Sequence, residues 1–226
     1  KKDHLDENGK FRTNFCGWVL RSSDQIVLVD TGLGPGPHEG LGGGRGQLLA
    51  NLKDMDITPE DVATVVITHL HGDHMGWNVS GEENRKKATF PRARYLLPKG
   101  DWDYFTKPYV LPSQEAVQSN AVPLQELGVL ELINGDHAVT PEITALSTPG
   151  HTPGHLSVVV NSGGEKAIVV GDLVHSSVQM TETDWCAGAD MDNETARKTR
   201  HAVLDRLEKE GFIIGAGHFP IGRSIG

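Results

Sequence analysis

Three histidines and one aspartate stand within six residues of this chain, directly after an apolar run. The run, residues 62–68, predicts a buried strand, and the cluster follows it as His69, His71, Asp73 and His74. Random placement of His and Asp would give this spacing in roughly 0.002 of such chains. A tight loop at a strand end can turn four side chains toward one small volume, and imidazoles with a carboxylate are ligands of borderline metals such as zinc. The chain must therefore fold so that a strand end presents a metal site.

Three further candidate ligands occur later in the sequence, each with a glycine immediately before it and an apolar stretch upstream. They are His151, Asp172 and His218. Glycine lets the backbone bend sharply where a strand ends, so these side chains are expected at strand ends as well. Because two metal ions need more than four ligands, we interpret all seven residues as one candidate site for two divalent metal ions.

The apolar patterning predicts an α/β fold. Strands are predicted at 15–20, 25–30, 62–68, 93–97, 143–147, 156–160 and 166–170. Helices are predicted at 47–55 and 192–210, a further helix is expected to begin at Thr58, and residues 101–133 read as helix and loop. The gross order of strands, helix, strand and motif occurs twice. That order predicts one domain, residues 1–226, with two similar halves packed sheet against sheet and helices outside.

The ligand pattern resembles that of the metallo-β-lactamase superfamily. It has the order H-x-H-x-D-H, G-H, G-D and G-H, and Val-Asp-Thr-Gly at 29–32 matches the family's early strand and turn. The resemblance covers nearly the whole chain and implies a four-layer αβ/βα sandwich of two mixed β-sheets with helices outside. It makes Asp172 the bridge between two metal ions. The remaining ligands divide into two sets, His69, His71 and His151 for one metal and Asp73, His74 and His218 for the other.

Differences between this chain and other branches of the superfamily reduce the number of candidate activities. True β-lactamases of the family lack the bridging aspartate, whereas this chain has Asp172. The di-iron oxygen-reducing branch has glutamate where this chain has His71. The RNA-processing branch keeps all seven ligands, but this chain has a net charge of −9 and no evident basic arm for a polyanion. These differences disfavour antibiotic hydrolysis, redox chemistry and RNA processing as the main activity.

A closer resemblance involves residues outside the ligand set. Gly-Trp-Asn at 76–78, residues 89–95, Asp101-Trp102 and His218-Phe219-Pro220 are similar to the branch that contains N-acyl homoserine lactonases and methyl parathion hydrolase. That resemblance implies a dinuclear, metal-dependent hydrolase of lactones or esters, with phosphotriesters as a further substrate class. Alternatives are a glyoxalase II-type thioesterase, a β-lactamase, a mononuclear iron dioxygenase, and a non-catalytic binding module on the same fold.

The expected mechanism follows from the chemistry of two metals. At roughly 3.5–4 Å apart they would share a water, lower its pKa toward about 7 and direct the bridging hydroxide at the carbonyl or phosphoryl centre. Asp73 is the candidate that accepts the proton and passes it to the leaving group. Related lactonases often carry a tyrosine near the bridging aspartate, but this chain has no tyrosine after Tyr109. His175, three residues after Asp172, is the candidate for that place.

Other residues are expected to support or surround the site. Asp30 and Thr68 are candidates for fixing the ligand loop, and His155 is interpreted as structural. The glycine-rich loop 32–46 and the aromatic residues near 102–105 are expected to form an apolar entrance for a neutral acyl or aryl group.

The expected cofactors are two divalent ions, zinc foremost, with manganese, iron or cobalt as alternatives. The expected partner is a small-molecule ester or lactone, and no nucleic acid. No apolar run approaches the roughly 20 residues of a membrane span, so no membrane partner is expected, and the oligomeric state is left open, a homodimer included. Two cysteines, Cys16 and Cys186, form no disulfide framework and favour the cytoplasm, although an export signal removed earlier is compatible with the sequence.

Overall fold

A computed structural model describes residues 13–41, 43–82 and 85–219 of the chain. Within these residues it contains two five-stranded sheets, one two-stranded ribbon and six α-helices. Pro220, the last residue of the His-Phe-Pro motif, lies outside the described residues, as do the ends of the predicted 1–226 domain.

The first sheet carries the strand that precedes the histidine cluster. Its order is β1 (Trp18–Ser22), β2 (Gln25–Val29), β3 (Val62–Val66), β6 (Arg94–Pro98) and β7 (Leu130–Ile133). β1 and β2 form an antiparallel hairpin, and the other neighbours are parallel. The hairpin turn consists of Ser23 and Asp24, both with positive φ, as a two-residue turn matched to the strand twist requires.

The second sheet is mostly antiparallel. Its order is β12 (Ile213–Gly215), β11 (Glu165–Val169), β10 (Leu156–Ser162), β9 (Ile143–Ser147) and β8 (His137–Ala138). Only β11 and β12 run parallel. A separate ribbon pairs β4 (Val79–Ser80) with β5 (Lys87–Ala88). Both large sheets are therefore mixed, as predicted.

Six helices cover the sheets. They are α1 (Leu48–Asp54), α2 (Gly72–Met75), α3 (Lys99–Phe105), α4 (Glu115–Asn120), α5 (Val122–Glu126) and α6 (Asn193–Glu210). The Asp192 side chain accepts a hydrogen bond from the backbone N–H of Thr195, and Gly211 ends α6 with φ 70°, which confirms the predicted helix and both of its ends. Across the described ranges, no helix combines the length and the apolar character needed to cross a membrane.

The core is divided into three apolar layers, which fixes the order of the sheets and helices. Val27 and Val29 of β2 point to a layer shared with β9, β10 and β11 of the other sheet. Leu28, on the opposite face, joins a layer with Leu52 of α1, Phe105 of α3 and other helical residues. The outer face of the second sheet packs on α6. The sequence of layers is helix, sheet, sheet, helix, and it confirms the predicted four-layer sandwich.

Two local predictions were wrong. Thr58 does not begin an α-helix: its backbone N–H donates to the Asp61 carboxylate, and this capping box closes a single turn of 3₁₀ helix over Pro59–Asp61 before β3 begins. The segment 101–133 contains three short helices and ends in strand β7. That strand pairs with β6 alone among the described residues, and its sequence, Leu-Glu-Leu-Ile, is too short for apolar spacing to distinguish a strand from a helix.

Candidate metal centre

The candidate ligands follow the carboxyl ends of strands, in loops or, for Asp73 and His74, in the short helix α2. His69 to His74 follow β3, His151 lies between β9 and β10, Asp172 follows β11 and His218 follows β12. The two halves of the sandwich meet here, because the backbone N–H of Leu156 donates to the carbonyl oxygen of Thr68 over 2.8 Å. Each sheet thus contributes ligands to one edge of the sandwich.

All seven predicted ligands come together, in two adjacent groups. The groups are His69, His71, His151 and Asp172, and Asp73, His74 and His218. Asp172 lies between them. Its Oδ1 is 3.1 Å from His218 Nε2 and 3.3 Å from His74 Nε2, whereas its Oδ2 is 3.3 Å from His151 Nε2. His218 Nε2 is also 3.3 Å from Oδ2, so the two oxygens are not divided strictly between the groups, but the Asp172 carboxylate lies between them and contacts histidines of both.

The chemistry of this cluster fits bound cations. His74 Nε2 and Asp172 Oδ1 are buried and have no hydrogen-bond partner among the described residues, although burying such atoms unpaired is costly. His71 Nδ1 is 3.1 Å from His69 Nε2 and 3.0 Å from His151 Nε2. Ring nitrogens that face one another so closely need a shared proton or cation between them. Imidazole nitrogens and carboxylate oxygens are suitable ligands for zinc and related divalent metals.

The charge states suit metal binding. Burial, reinforced by neighbouring imidazoles, holds the pKa of His69 well below its ordinary value and lowers the pKa of His71 to about 4, so both rings are neutral. Burial acts to raise the pKa of Asp172, but His74 and His69 outweigh it and hold that pKa well below the ordinary range. For His74, burial acts to lower the pKa, but Asp172 and Asp30 raise it well above normal. Without metal, a proton on His74 supplies positive charge beside the carboxylate.

Asp30 and Thr68 support the ligand loop, as the sequence predicted. Asp30 Oδ1 accepts a 2.8 Å hydrogen bond from the backbone N–H of Thr68, and Oδ2 accepts one of 2.9 Å from the Thr68 hydroxyl. The same Oδ2 is 2.8 Å from His74 Nδ1. A carboxylate in this place directs the opposite nitrogen, Nε2, toward the centre of the cluster.

Two of the three glycines that precede candidate ligands have the backbone conformation expected of a sharp bend. Gly150 has φ 134° and Gly171 has φ 56°. A Cβ at Gly171 would lie 2.7 Å from His155 Nε2, so only glycine fits there. Gly217 does not have positive φ, and the expectation of a special bend fails at that position.

His155 has the structural place predicted for it. Its ring is buried, Nδ1 is 3.0 Å from the carbonyl oxygen of Thr148, and Nε2 accepts a 2.9 Å hydrogen bond from the backbone N–H of Asp172. Burial together with the neighbouring His151 lowers the pKa of His155 to about 3. A neutral ring donates at Nδ1 and accepts at Nε2, so His155 fixes the backbone of the residue between the two groups.

The sequence did not single out three supporting residues. Asp101 is fully buried, and its carboxylate accepts hydrogen bonds from the backbone N–H groups of Leu70 (2.9 Å) and Gly154 (2.6 Å), which ties the two histidine loops together. The sequence had pointed to Asp101 only as part of the Asp101-Trp102 motif. Asp190 contacts His151 and Arg200. A signal for Arg200 was available, because it stands four residues after Ala196 and four before Leu204 on the apolar face of α6.

An open cleft gives access to the cluster. It has a volume of about 330 Å³ and is lined by Thr13, Phe15, His71, Asp73, His151, Asp172, His175, Ala189 and His218. Both predicted catalytic residues therefore face it. His175 Nε2 is 3.1 Å from Asp172 Oδ2, and the His175 ring lies parallel to that of His218 at a centroid distance of 5.6 Å. Asp73 Oδ2 is 3.6 Å from both His74 Nε2 and His218 Nε2.

The expectation of an apolar entrance is half correct. A cavity of about 520 Å³ shares Phe15 with the cleft, and its wall includes Gly32, Leu33 and Gly46 of the glycine-rich loop. The residues near 102–105 do not contribute to this cavity. Phe105 is only 4% exposed and packs edge-on against His71 from the core side, because α3 buries its apolar face against the first sheet.

Known proteins resemble this chain along most of its length. The sequence model described as the metallo-beta-lactamase superfamily matches residues 16–218. An N-acyl homoserine lactonase from a Bacillus species is 27% identical over 217 residues, which cover 89% of this chain and 79% of the relative. Metallo-beta-lactamase domain-containing protein 1 of Xenopus laevis is 28% identical over 209 residues, covering 88% of this chain and 68% of the relative.

Solved structures show the same fold. A hydrolase named AbOPH, described as in the beta lactamase superfamily, superimposes with a TM-score of 0.83 and 26% identity, covering 97% of this chain and 77% of that chain. AidC, described as a dizinc quorum-quenching lactonase, superimposes with a TM-score of 0.75 and 23% identity, covering 93% of this chain and 74% of that chain. At the identity of AidC, the likeness establishes the fold alone.

Proposed function

Because this chain is a hydrolase that belongs to the metallo-β-lactamase superfamily, we propose that it hydrolyses lactones or activated esters of small molecules with two divalent metal ions, zinc foremost. One observation carries the proposal: the Asp172 carboxylate lies between two adjacent ligand groups and contacts histidines of both. A single-metal enzyme has no use for a carboxylate shared in this way. The named lactonase relatives support the choice of substrate class.

The ligands follow from the two groups. His69, His71 and His151 would hold one metal, Asp73, His74 and His218 would hold the other, and Asp172 would contact both. Two metals bound there would lower the pKa of a shared water and polarise the substrate's carbonyl or phosphoryl oxygen. The neutral state of His69 and His71 and the charged state of Asp172 mean that these ligands need lose no proton before binding, whereas His74 and His218, whose pKa values are raised, must each give one up.

Asp73 is the candidate for proton transfer. Its side chain is 27% exposed, compared with 4% for Asp172, so of these two carboxylates in the cleft it is the more accessible to a substrate. A carboxylate beside the attacking water can accept a proton from it and return that proton to the leaving alkoxide. Hydrolysis of a lactone or ester requires this transfer, because the leaving group departs as an alcohol.

His175 is the candidate for holding the substrate carbonyl. Its side chain is 22% exposed in the cleft; both ring nitrogens are buried and have no well-aligned hydrogen-bond partner within the described chain, so the ring would have to turn to present an N–H to a substrate. A ring N–H aimed at the carbonyl oxygen would stabilise the negative charge that develops there. This is the role that the resemblance assigns to a tyrosine in related lactonases.

The shape of the surroundings favours neutral substrates with an apolar group. The cavity beside the cleft is lined mainly by apolar side chains, including Trp18, Leu48 and Trp77. It could hold an acyl or aryl group while the scissile bond lies in the cleft. The net charge of −9 disfavours anionic substrates. Glutathione thioesters are therefore expected to be poorer substrates than lactones and aryl esters.

A substrate panel tests the proposal. We expect zinc-loaded protein to hydrolyse an N-acyl homoserine lactone or a p-nitrophenyl ester with a kcat/KM at least about tenfold above that for S-lactoylglutathione or nitrocefin; tenfold is a difference of about 1.4 kcal/mol in transition-state binding. A phosphotriester belongs in the panel as a third substrate class. Protein with Asp172→Asn, purified in parallel, measures contaminating hydrolase activity. Turnover of the thioester far above every lactone and ester would replace this proposal with a glyoxalase II-type activity.

Replacement of His175 tests its assigned role. His175→Phe keeps a planar ring but removes both nitrogens, so we expect kcat/KM to fall about a hundredfold, the effect of losing one donor to a developing oxyanion. Metal content should stay at two ions per chain, because His175 is outside the proposed ligand set. His201→Gln, which changes a partly exposed histidine on α6, is the matched control. A His175→Phe protein with wild-type kcat/KM would exclude His175 from the reaction.

A further inference from the structure

His151 is backed by a buried ion pair on the side of the ring that faces away from the cleft. Its Nδ1 is 2.9 Å from Asp190 Oδ1, and Asp190 Oδ2 is 3.3 Å from a guanidinium nitrogen of Arg200. The Asp190 side chain is fully buried, and that of Arg200 is 1% exposed. Buried charges are rare unless they are paired and hydrogen-bonded, so the pair calls for an explanation.

Arg200 is held too firmly to be an incidental partner. From α6 its guanidinium donates to the carbonyl oxygens of Leu173 (2.8 Å), Thr183 (3.0 Å) and Trp185 (2.8 Å). The loop after β11, which carries Asp172 and His175, is thus fastened to the helix. These bonds fix the guanidinium, and the guanidinium in turn fixes the orientation of the Asp190 carboxylate.

The hydrogen bonds around Asp190 leave one arrangement for His151. Asp190 Oδ2 accepts from both the Arg200 guanidinium and the backbone N–H of Ala187 (2.9 Å). The buried ion pair with Arg200 and the hydrogen bond from Ala187 stabilise the ionised carboxylate, so Oδ1, which lies 2.9 Å from His151 Nδ1, is an acceptor as well. His151 must then carry its proton on Nδ1, which leaves the lone pair of Nε2 directed at Asp172 Oδ2, 3.3 Å away.

We propose that Asp190, held in place by Arg200, is the positioning residue that fixes the metal-binding tautomer of His151, an inference that rests on the proposed function. Asp30 stands in the same relation to His74, 2.8 Å from its Nδ1. Each of the two ligand groups therefore has one histidine backed by a buried carboxylate. Asp30 and Asp190 come from opposite halves of the sandwich. Substituting one of them should therefore lower the metal affinity of one ligand group and leave the other group unchanged.

The choice of substitution separates positioning from simple packing. In Asp190→Asn the two donors from Arg200 and Ala187 hold the amide oxygen, so the amide nitrogen faces His151 Nδ1. That nitrogen donates, which forces the His151 proton onto Nε2, where it blocks metal binding. Asp190→Ala leaves the ring free to keep its proton on Nδ1. If Asp190 only filled space and neutralised Arg200, alanine would be the more harmful change, because it opens a cavity and leaves the guanidinium charge unpaired.

The experiment measures zinc affinity, with zinc alone as the probe and no assay of activity. Zinc per chain is determined at free zinc concentrations set by a chelator buffer. We expect wild-type protein to bind two ions, Asp190→Asn to bind one of them at least tenfold more weakly, and Asp190→Ala to lose less than tenfold. Asp30→Asn is the matched variant for the other group, and the double variant should lose affinity for both ions. Wild-type affinity in Asp190→Asn, or a greater loss in Asp190→Ala, would overturn the proposal.

A measurement on the wild-type protein covers the case in which a variant fails to fold. Long-range ¹H–¹⁵N spectra of the zinc-loaded protein should show His151 with a proton on Nδ1 and none on Nε2, its signals assigned by their absence in His151→Gln. A proton on Nε2 would refute the assigned tautomer. The proposed function can fail independently: if the wild type binds two ions with the expected tautomer but hydrolyses none of the panel, the substrate class is wrong and the role of Asp190 stands.

Discussion

Replacing Asp172 with asparagine should lower kcat/KM for the best substrate by about a thousandfold or more, a loss of about 4 kcal/mol in transition-state stabilisation. The carboxylate lies between the two ligand groups and contacts histidines of both. An amide has only one oxygen, and its nitrogen offers hydrogens instead of a lone pair, so one group loses both a ligand and a negative charge. We therefore also expect zinc content to fall from two ions per chain toward one.

The fold should survive this change. The backbone N–H of Asp172 still donates to His155, and the side-chain volume is unchanged. Circular dichroism and a cooperative thermal transition measure this directly. Asp205→Asn makes the same chemical change at an exposed position of α6 and should retain full activity. Full turnover in Asp172→Asn with two zinc ions bound would show that Asp172 is not the bridge.

Removing the metals should abolish hydrolysis and lower Tm by about 10–20 °C. The estimate assumes two independent sites at a free zinc concentration of about 100 Kd, each adding about 2.7 kcal/mol of stability, and about 2–4 °C per kcal/mol for a chain of this size. Differential scanning calorimetry of chelated and zinc-reloaded protein measures the shift. Reloading should restore activity and Tm together. Full activity in protein shown to contain no metal would contradict the two-metal proposal.

The metal-free protein should also become less stable as the pH falls from about 6.5 to 4. His69, His71 and His155 have folded-state pKa values below the ordinary value near 6.5, about 4 for His71 and about 3 for His155. These three neutral rings contribute fully to the free energy of unfolding above about pH 6.5. As the pH falls, protons bind to the unfolded chain before they bind to the folded one, and the free energy of unfolding drops by up to about 1.4 kcal/mol per pH unit for each histidine. His74 and His218, whose pKa values are raised, are protonated in the folded state over this range. Their unfolded-state side chains become protonated as the pH falls through about 6.5, so their stabilising contribution is complete in the lower part of the range.

Urea unfolding of chelated protein between pH 7 and 4 measures that slope. His155→Gln removes one of the three titrating groups and replaces no proposed ligand. The free energy of unfolding of this variant should therefore fall less steeply with acid than that of the wild type. Equal slopes for the two proteins would show that His155 is not held neutral in the folded state.

The sequence predicted those features that a short stretch of chain determines by itself. The H-x-H-x-D-H cluster, the apolar strand before it and the capped helix α6 depend on neighbouring residues, and all three are present. The four-layer sandwich was also predicted, because two repeated runs of strand and helix can bury their apolar faces in few ways. Asp30 was expected to support the ligand loop, but only the structure places its carboxylate behind His74.

The remaining features depend on contacts between distant parts of the chain. Asp101 accepts hydrogen bonds from loops 31 and 53 residues away, and no local pattern marks such a residue. Arg200 has a charged side chain where the helical spacing calls for an apolar one, and Asp190 together with three backbone carbonyl groups of the preceding loop explains it. Strand β7 exists because β6 offers it an edge. The β-strand propensity of the residues predicts a strand poorly where pairing with a neighbouring strand decides whether it forms.

Synthesis of the chain delivers the two ligand groups at different times. The last member of the first group, Asp172, leaves the ribosome well before His218, the last member of the second group. At about 5–20 residues per second the interval is a few seconds, long compared with the closure of loops in a nascent chain. The first metal could therefore be captured while the C-terminal strand and His218 are still being translated, and the second only afterwards.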